Sequence, residues 1–144
     1  MGITKTTQAD EFGRLFAAMA RYYHDWARQQ GISYTQLAVL HTLVRQTHCT
    51  QKQISDEWSL PKQTLSTVCK NYLDAGLLTA AATDDKREKQ LSLTAAGRAL
   101  AEPLIARLEA LEQHILTQFG HERSLRLLQE FGELSRIFAE HMEA

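Results

Sequence analysis

The sequence predicts a mainly α fold interrupted by one small β-ribbon. Three observations carry that prediction. Four long segments repeat apolar residues at helical spacing. Two shorter helical segments follow each other directly between Thr50 and Gly76. Between Leu77 and Thr94 the helical stripe vanishes, leaving two short apolar runs joined by Asp84–Lys89, a hexapeptide in which every residue is charged.

The first long segment runs from Asp10 to Gly31, with Phe12, Leu15, Phe16, Met19, Tyr22, Tyr23 and Trp26 forming a wide stripe. Asp10 is its expected N-cap and Gly31 its stop. The second starts at Ser33 or Thr35 and places Leu37, Leu40, Leu43 and Val44 on one side. Thr50 caps a short helix that turns Ile54 and Trp58 inward. The next helix is expected to carry Pro61 in its first turn and to end at Gly76. Thr94 opens a long helix with Leu100, Leu104, Leu108, Leu111 and Ile115 in its stripe. Pro103 is expected to kink or split it, and Gly120 to end it. The last segment is amphipathic through Leu127, Leu128, Phe131, Leu134, Phe138 and Met142. Helix, turn, helix, then hairpin is the plan of a winged helix-turn-helix.

Composition narrows the partners. The chain has 144 residues, enough for one domain with a real core, and a formal net charge of −1. Any positive charge that serves a nucleic acid must therefore be local. Two cysteines, Cys49 and Cys69, form neither a disulfide framework nor a zinc spacing. No apolar run approaches a membrane span, and no signal-peptide core is present, so a cytoplasmic location is expected. No cofactor is implied.

The second short helix is distinctive. At about 100° per residue, Lys62, Gln63, Ser66, Thr67, Lys70 and Asn71 share one half of its wheel. Leu65, Val68, Cys69 and Tyr72 take the other. The outward half has lysines, amides and hydroxyls and no acid before Asp74. Lysines neutralise phosphates, and amides and hydroxyls match base edges in a major groove. The hexapeptide sums to zero charge, so it is no simple basic patch.

These elements resemble the MarR (multiple antibiotic resistance regulator) family. The resemblance rests on QKQISDEWSLPKQTLSTVCKNYLDAGLLT followed by DDKREKQLSLTAAG, above all on Asp85-Lys86-Arg87 and the following Leu93-Thr94-Ala95-Ala96-Gly97. It implies a homodimer joined through residues 1–32 and 98–144, with residues 33–97 as the DNA-binding domain. It also implies a pseudopalindromic double-stranded operator, repression, and release by a small, often aromatic or phenolic, effector. Two-fold symmetry would space half-sites roughly 10 bp apart. By the resemblance, Lys62, Gln63, Thr64, Ser66, Thr67, Lys70 and Asn71 read DNA. It further implies that Arg87 enters the minor groove and that Asp85 braces the wing; Lys86 and Lys89 would then serve flanking phosphates. Trp58, Pro61 and Thr67 depart from the family's usual residues. Surplus apolar faces on the terminal helices argue for association independently.

Other constellations stay open. Tyr22, Tyr23 and Trp26, with His41 and Arg45 on the next helix, suit an aromatic anion, or they are plain core or dimer interface. His41, His48, Cys49 and His114 invite a metal without the spacing that would specify one. Cys49 at a helix start beside His48 offers a redox reading through a lowered thiol pKa. A winged helix used only for protein contacts would not need the acid-free face. The enzyme reading lacks a phosphate loop, a nucleophile elbow and paired catalytic carboxylates.

Overall fold

The computed structural model describes residues 5–85 and 87–143, so Met1 to Thr4, Lys86 and Ala144 lie outside the described residues. Six helices and three strands follow in the order α1 Gln8–Gln29, α2 Tyr34–Arg45, β1 Cys49–Thr50, α3 Gln51–Trp58, α4 Lys62–Asp74, β2 Leu78–Ala82, β3 Lys89–Leu93, α5 Ala95–Phe119 and α6 His121–Met142. The backbone forms two compact units, residues 1–105 and 106–144.

The first three helices begin with the same device. Thr7, Ser33 and Thr50 each accept the backbone N–H three residues on, and the side chain there accepts the cap's own N–H. Thr7 thus replaces Asp10 as the cap of α1. Asp10 is the third helical residue, and the Thr7 N–H it accepts holds its carboxyl below the usual range.

The expected two-stranded ribbon is a three-stranded antiparallel sheet of order β1-β3-β2. Its third member is only Cys49 and Thr50, paired with Leu91 and Gln90. In the β2–β3 hairpin Leu78 faces Leu93, Ala80 faces Leu91 and Ala82 faces Lys89. Leu78, Leu91 and Leu93 are buried, as are Leu37, Leu40 and Leu43 of α2, Ile54 of α3 and Leu65 and Cys69 of α4. That shared core fixes the hairpin beside the α3–α4 pair.

The turn between α3 and α4 is tight. Ser59 adopts a left-handed φ of 53°, and Ser55 spans the turn by donating its hydroxyl to Leu60 O at 3.0 Å. Pro61 stands at the N-cap of α4 rather than in its first turn; its φ of −61° and ψ of 131° bring the chain in extended, and no side chain caps the helix. At the other end Gly76, at φ 76°, reverses the chain into β2.

Of the expected kink or split at Pro103 there is no split: α5 runs as one helix across it. Ala99, whose carbonyl loses its donor, is exposed like Pro103, so solvent can take the donor's place. Thr94 anchors the helix start, donating to Gly76 O at 2.7 Å and accepting Gly97 N–H at 3.0 Å.

Each unit shows an apolar helix face. In the first, Leu15, Phe16, Met19 and Tyr22 of α1 are each more than half exposed. In the second, α6 exposes Leu125, Leu127, Leu128 and Met142. No helix among the described residues is long and apolar enough to cross a membrane.

Candidate nucleic-acid interface

The α4 wheel divides as its sequence requires. Leu65, Val68, Cys69 and Tyr72 are buried, while Lys62, Gln63, Thr64, Ser66, Thr67, Lys70 and Asn71 are exposed. Burial pushes the Cys69 thiol up to about 11 and the Tyr72 phenol up to about 12, which marks this half as core. Thr67 Oγ1 donates to Gln63 O one turn back at 3.0 Å.

The loop after β2 is held by its own polar groups. Asp85 Oδ1 accepts the Arg87 backbone N–H at 3.0 Å, and Glu88 N donates to Asp85 O at 3.1 Å. The Thr83 hydroxyl lies 2.7 Å from Asp85 O and 2.9 Å from Glu88 O and shares its proton between them. Asp85 therefore braces the loop by accepting a backbone N–H. Thr83 is a second brace that the sequence reading missed; its signal was a hydroxyl residue at the strand end. The Arg87 side chain is exposed. Lys89 sits on β3, opposite Ala82, rather than at the tip. Lys86 lies outside the described residues.

Between helix pair and loop runs a groove of about 520 Å³. Lys62, Gln63 and Ser66 line one side, Arg87, Glu88 and Lys89 the other, with Thr50, Lys52 and Ser55 of the α3 region completing it. Among the described residues four cations and one acid line it, a net positive set. Thr64, Thr67, Lys70 and Asn71 do not line this groove; they continue the exposed face of α4. Lys52 was missed by the sequence reading. It lies in the first turn of α3 and pairs with Asp56 at 3.2 Å, one helical turn on.

The five expected effector residues lie on α1 (Tyr22, Tyr23, Trp26) and α2 (His41, Arg45). Tyr22 is exposed, with the Arg21 guanidinium 5.6 Å from its ring centroid; Tyr23 and Trp26 are half-buried, and Arg45 is exposed. Ring contacts link His24 to Tyr34 at 4.3 Å, Tyr34 to Trp58 at 5.8 Å and His41 to Trp58 at 5.3 Å. A cleft of about 460 Å³ opens beside this chain of rings, lined by Arg21, His24, Asp25, Arg28, Ser33 and Tyr34. Arg28 is ion-paired to Asp25, and burial raises the Tyr34 phenol. Sequence spacing within α1 could not find this set, because Tyr34 and Trp58 join it from α2 and α3.

Cys49 does not suit thiol chemistry. It is 1% exposed, and burial, with the Glu57 charge adding, raises its pKa instead of lowering it. Among the described residues no group of three or more His, Cys, Asp or Glu side chains is placed to hold a metal ion.

The MarR family sequence model matches residues 30–88, the span from the end of α1 to the loop. The search of curated proteins gives no match. Among solved structures, NMB1585, a MarR family regulator from Neisseria meningitidis, is 33% identical over 95% of this chain and 97% of its own, with a TM-score of 0.86. Bordetella bronchiseptica BpsR, whose DNA binding is regulated by 6-hydroxynicotinic acid, shares the fold at 18% identity and a TM-score of 0.70, over 93% of this chain and 98% of its own. S. aureus MepR, solved bound to DNA, shares it at 20% identity and a TM-score of 0.71, over 93% and 99%.

Proposed function

Because this chain belongs to the MarR family of regulators, we propose that it is a cytoplasmic, dimeric, sequence-specific DNA-binding repressor released from its operator by a small aromatic effector. The observation that carries this reading is the groove itself. It joins the acid-free face of α4 to the braced loop and puts Lys52, Lys62, Arg87 and Lys89 along one path. A phosphate backbone seated there would set α4 against a major groove and Arg87 against the adjoining minor groove, where an arginine meets enhanced negative potential.

Residues 33–97 then serve as the DNA-binding domain, and residues 1–32 and 98–144 as the dimerisation parts. The apolar faces of α1 and α6 supply surface for a second copy, since a stable dimer needs a sizeable contact rich in apolar groups. BpsR and its hydroxylated aromatic acid support the effector class. In this chain the ring chain from His24 through Tyr34 to Trp58 is the stronger support for its place, because Trp58 ends α3 at the helix-turn-helix turn.

The test is a gel shift against the DNA upstream of the chain's own gene, with a salt series. Preference over random duplex and an affinity that falls steeply with salt are expected. Equal binding to random DNA, or affinity indifferent to salt, overturns the reading.

A further inference from the structure

We propose that Thr67 reads a methyl group in the major groove, and so that each half-site carries a thymine recognised by its C5-methyl; this rests on the DNA-binding reading above. Thr67 is exposed on the outward half of α4, four residues after Gln63 and three before Lys70. Those neighbours are one turn away on either side, so Thr67 belongs to the same stripe.

What distinguishes Thr67 is the state of its hydroxyl. A threonine carries one O–H hydrogen, and Thr67 commits it to Gln63 O, at 3.0 Å, inside its own helix. The hydroxyl then has no proton to offer a base. A β-branched side chain is also stiff, and the bond to Gln63 O fixes which γ-branch turns toward the backbone. The other branch is the methyl, on a side chain that is exposed.

Only one base offers an apolar group in the major groove. Thymine presents its C5-methyl, and contact with it is available to a threonine methyl. With its proton committed, Thr67 can meet a base only as a lone-pair acceptor or through its methyl, and the methyl is the contact that thymine matches.

The experiment begins with sites selected from a random duplex pool by the wild-type protein. Each conserved thymine is then replaced by deoxyuridine, which removes the methyl and leaves pairing and phosphate unchanged. At one thymine per half-site, deoxyuridine should weaken wild-type binding about fourfold, the scale of one buried methyl. Thr67→Val keeps the methyl and should show the same dependence. Thr67→Ser keeps the hydroxyl and should bind the thymine and uracil duplexes equally. Thr67 is exposed, so both variants should fold, and a melting curve followed by circular dichroism checks it. The proposal is overturned if no uracil position matters to the wild type, if Thr67→Val loses the discrimination, or if Thr67→Ser keeps it. A pool from which the wild type selects nothing overturns the DNA-binding reading instead, and is recognised because the unmodified duplexes also go unbound.

Discussion

The indole N–H of Trp58 donates to Thr42 Oγ1 at 2.8 Å, and Thr42 donates onward to Ala38 O at 2.8 Å. One buried hydroxyl in α2 therefore holds the last residue of α3, next to the turn that sets the angle of α4. Thr42→Val keeps the shape and deletes the acceptor, which leaves the N–H of a half-buried indole without this partner. The expected loss is about 1–3 kcal/mol of stability in urea unfolding. An unchanged midpoint would show that water or another acceptor serves the indole equally well.

Gly97 and Leu77 set a second, steeper expectation. A Cβ at Gly97 would stand 2.1 Å from Leu77 O, which is backbone and accepts the Thr94 N–H at 3.0 Å. The start of α5 and the entry to β2 touch there with no room for a side chain. Gly97→Ala should cost about 3 kcal/mol or more, the upper end of overpacking effects. Gly13→Ala is the control: nothing lies within 4 Å, and α1 should gain roughly 0.5–1 kcal/mol. A thermal-shift comparison decides it, and equal shifts for the two variants would refute the account.

That contact also explains what the sequence did and did not reveal. The run Leu93-Thr94-Ala95-Ala96-Gly97 was legible through its resemblance to the family's wing motif, since the approach of Gly97 to Leu77 O spans twenty residues, while Thr94 as the start of α5 is a local signal. The helices were legible locally too, since an apolar stripe declares both the element and its buried face. The strand at Cys49–Thr50 was not legible. It is two residues long and exists through backbone pairing with a hairpin some forty residues on. The ring chain His24–Tyr34–Trp58 escaped because its members lie on three different helices. Thr83 escaped because a hydroxyl bridging two carbonyls leaves no periodic trace.

The loop makes a prediction in which charge and shape separate. If Asp85 matters as the acceptor of the Arg87 N–H, Asp85→Asn keeps an oxygen there while Asp85→Ala does not. Both remove the same negative charge. Operator affinity should survive in the first and fall several-fold in the second, at an unchanged salt slope. Arg87→Ala should weaken binding and reduce that slope by about one. Equal behaviour of the two Asp85 variants would return Asp85 to a purely electrostatic role.

The inward half of α4 predicts alkaline lability. Cys69 and Tyr72 are acids whose neutral forms are favoured by burial, with folded pKa values of about 11 and about 12 against ordinary values of 9.0 and 10.0. For such groups the stabilisation is fully present below the ordinary value and is lost as pH rises through the folded one. Stability should therefore hold to about pH 9 and decline steeply toward pH 11–12. A Cys69→Val, Tyr72→Phe double variant, which cannot ionise at either site, should decline less between pH 8 and 11. Urea midpoints across that range measure the difference, and parallel declines would mean that charge elsewhere governs the alkaline limit. The two buried groups lie directly behind the exposed face of α4, so loss of operator binding should track the wild-type decline and be delayed in the double variant.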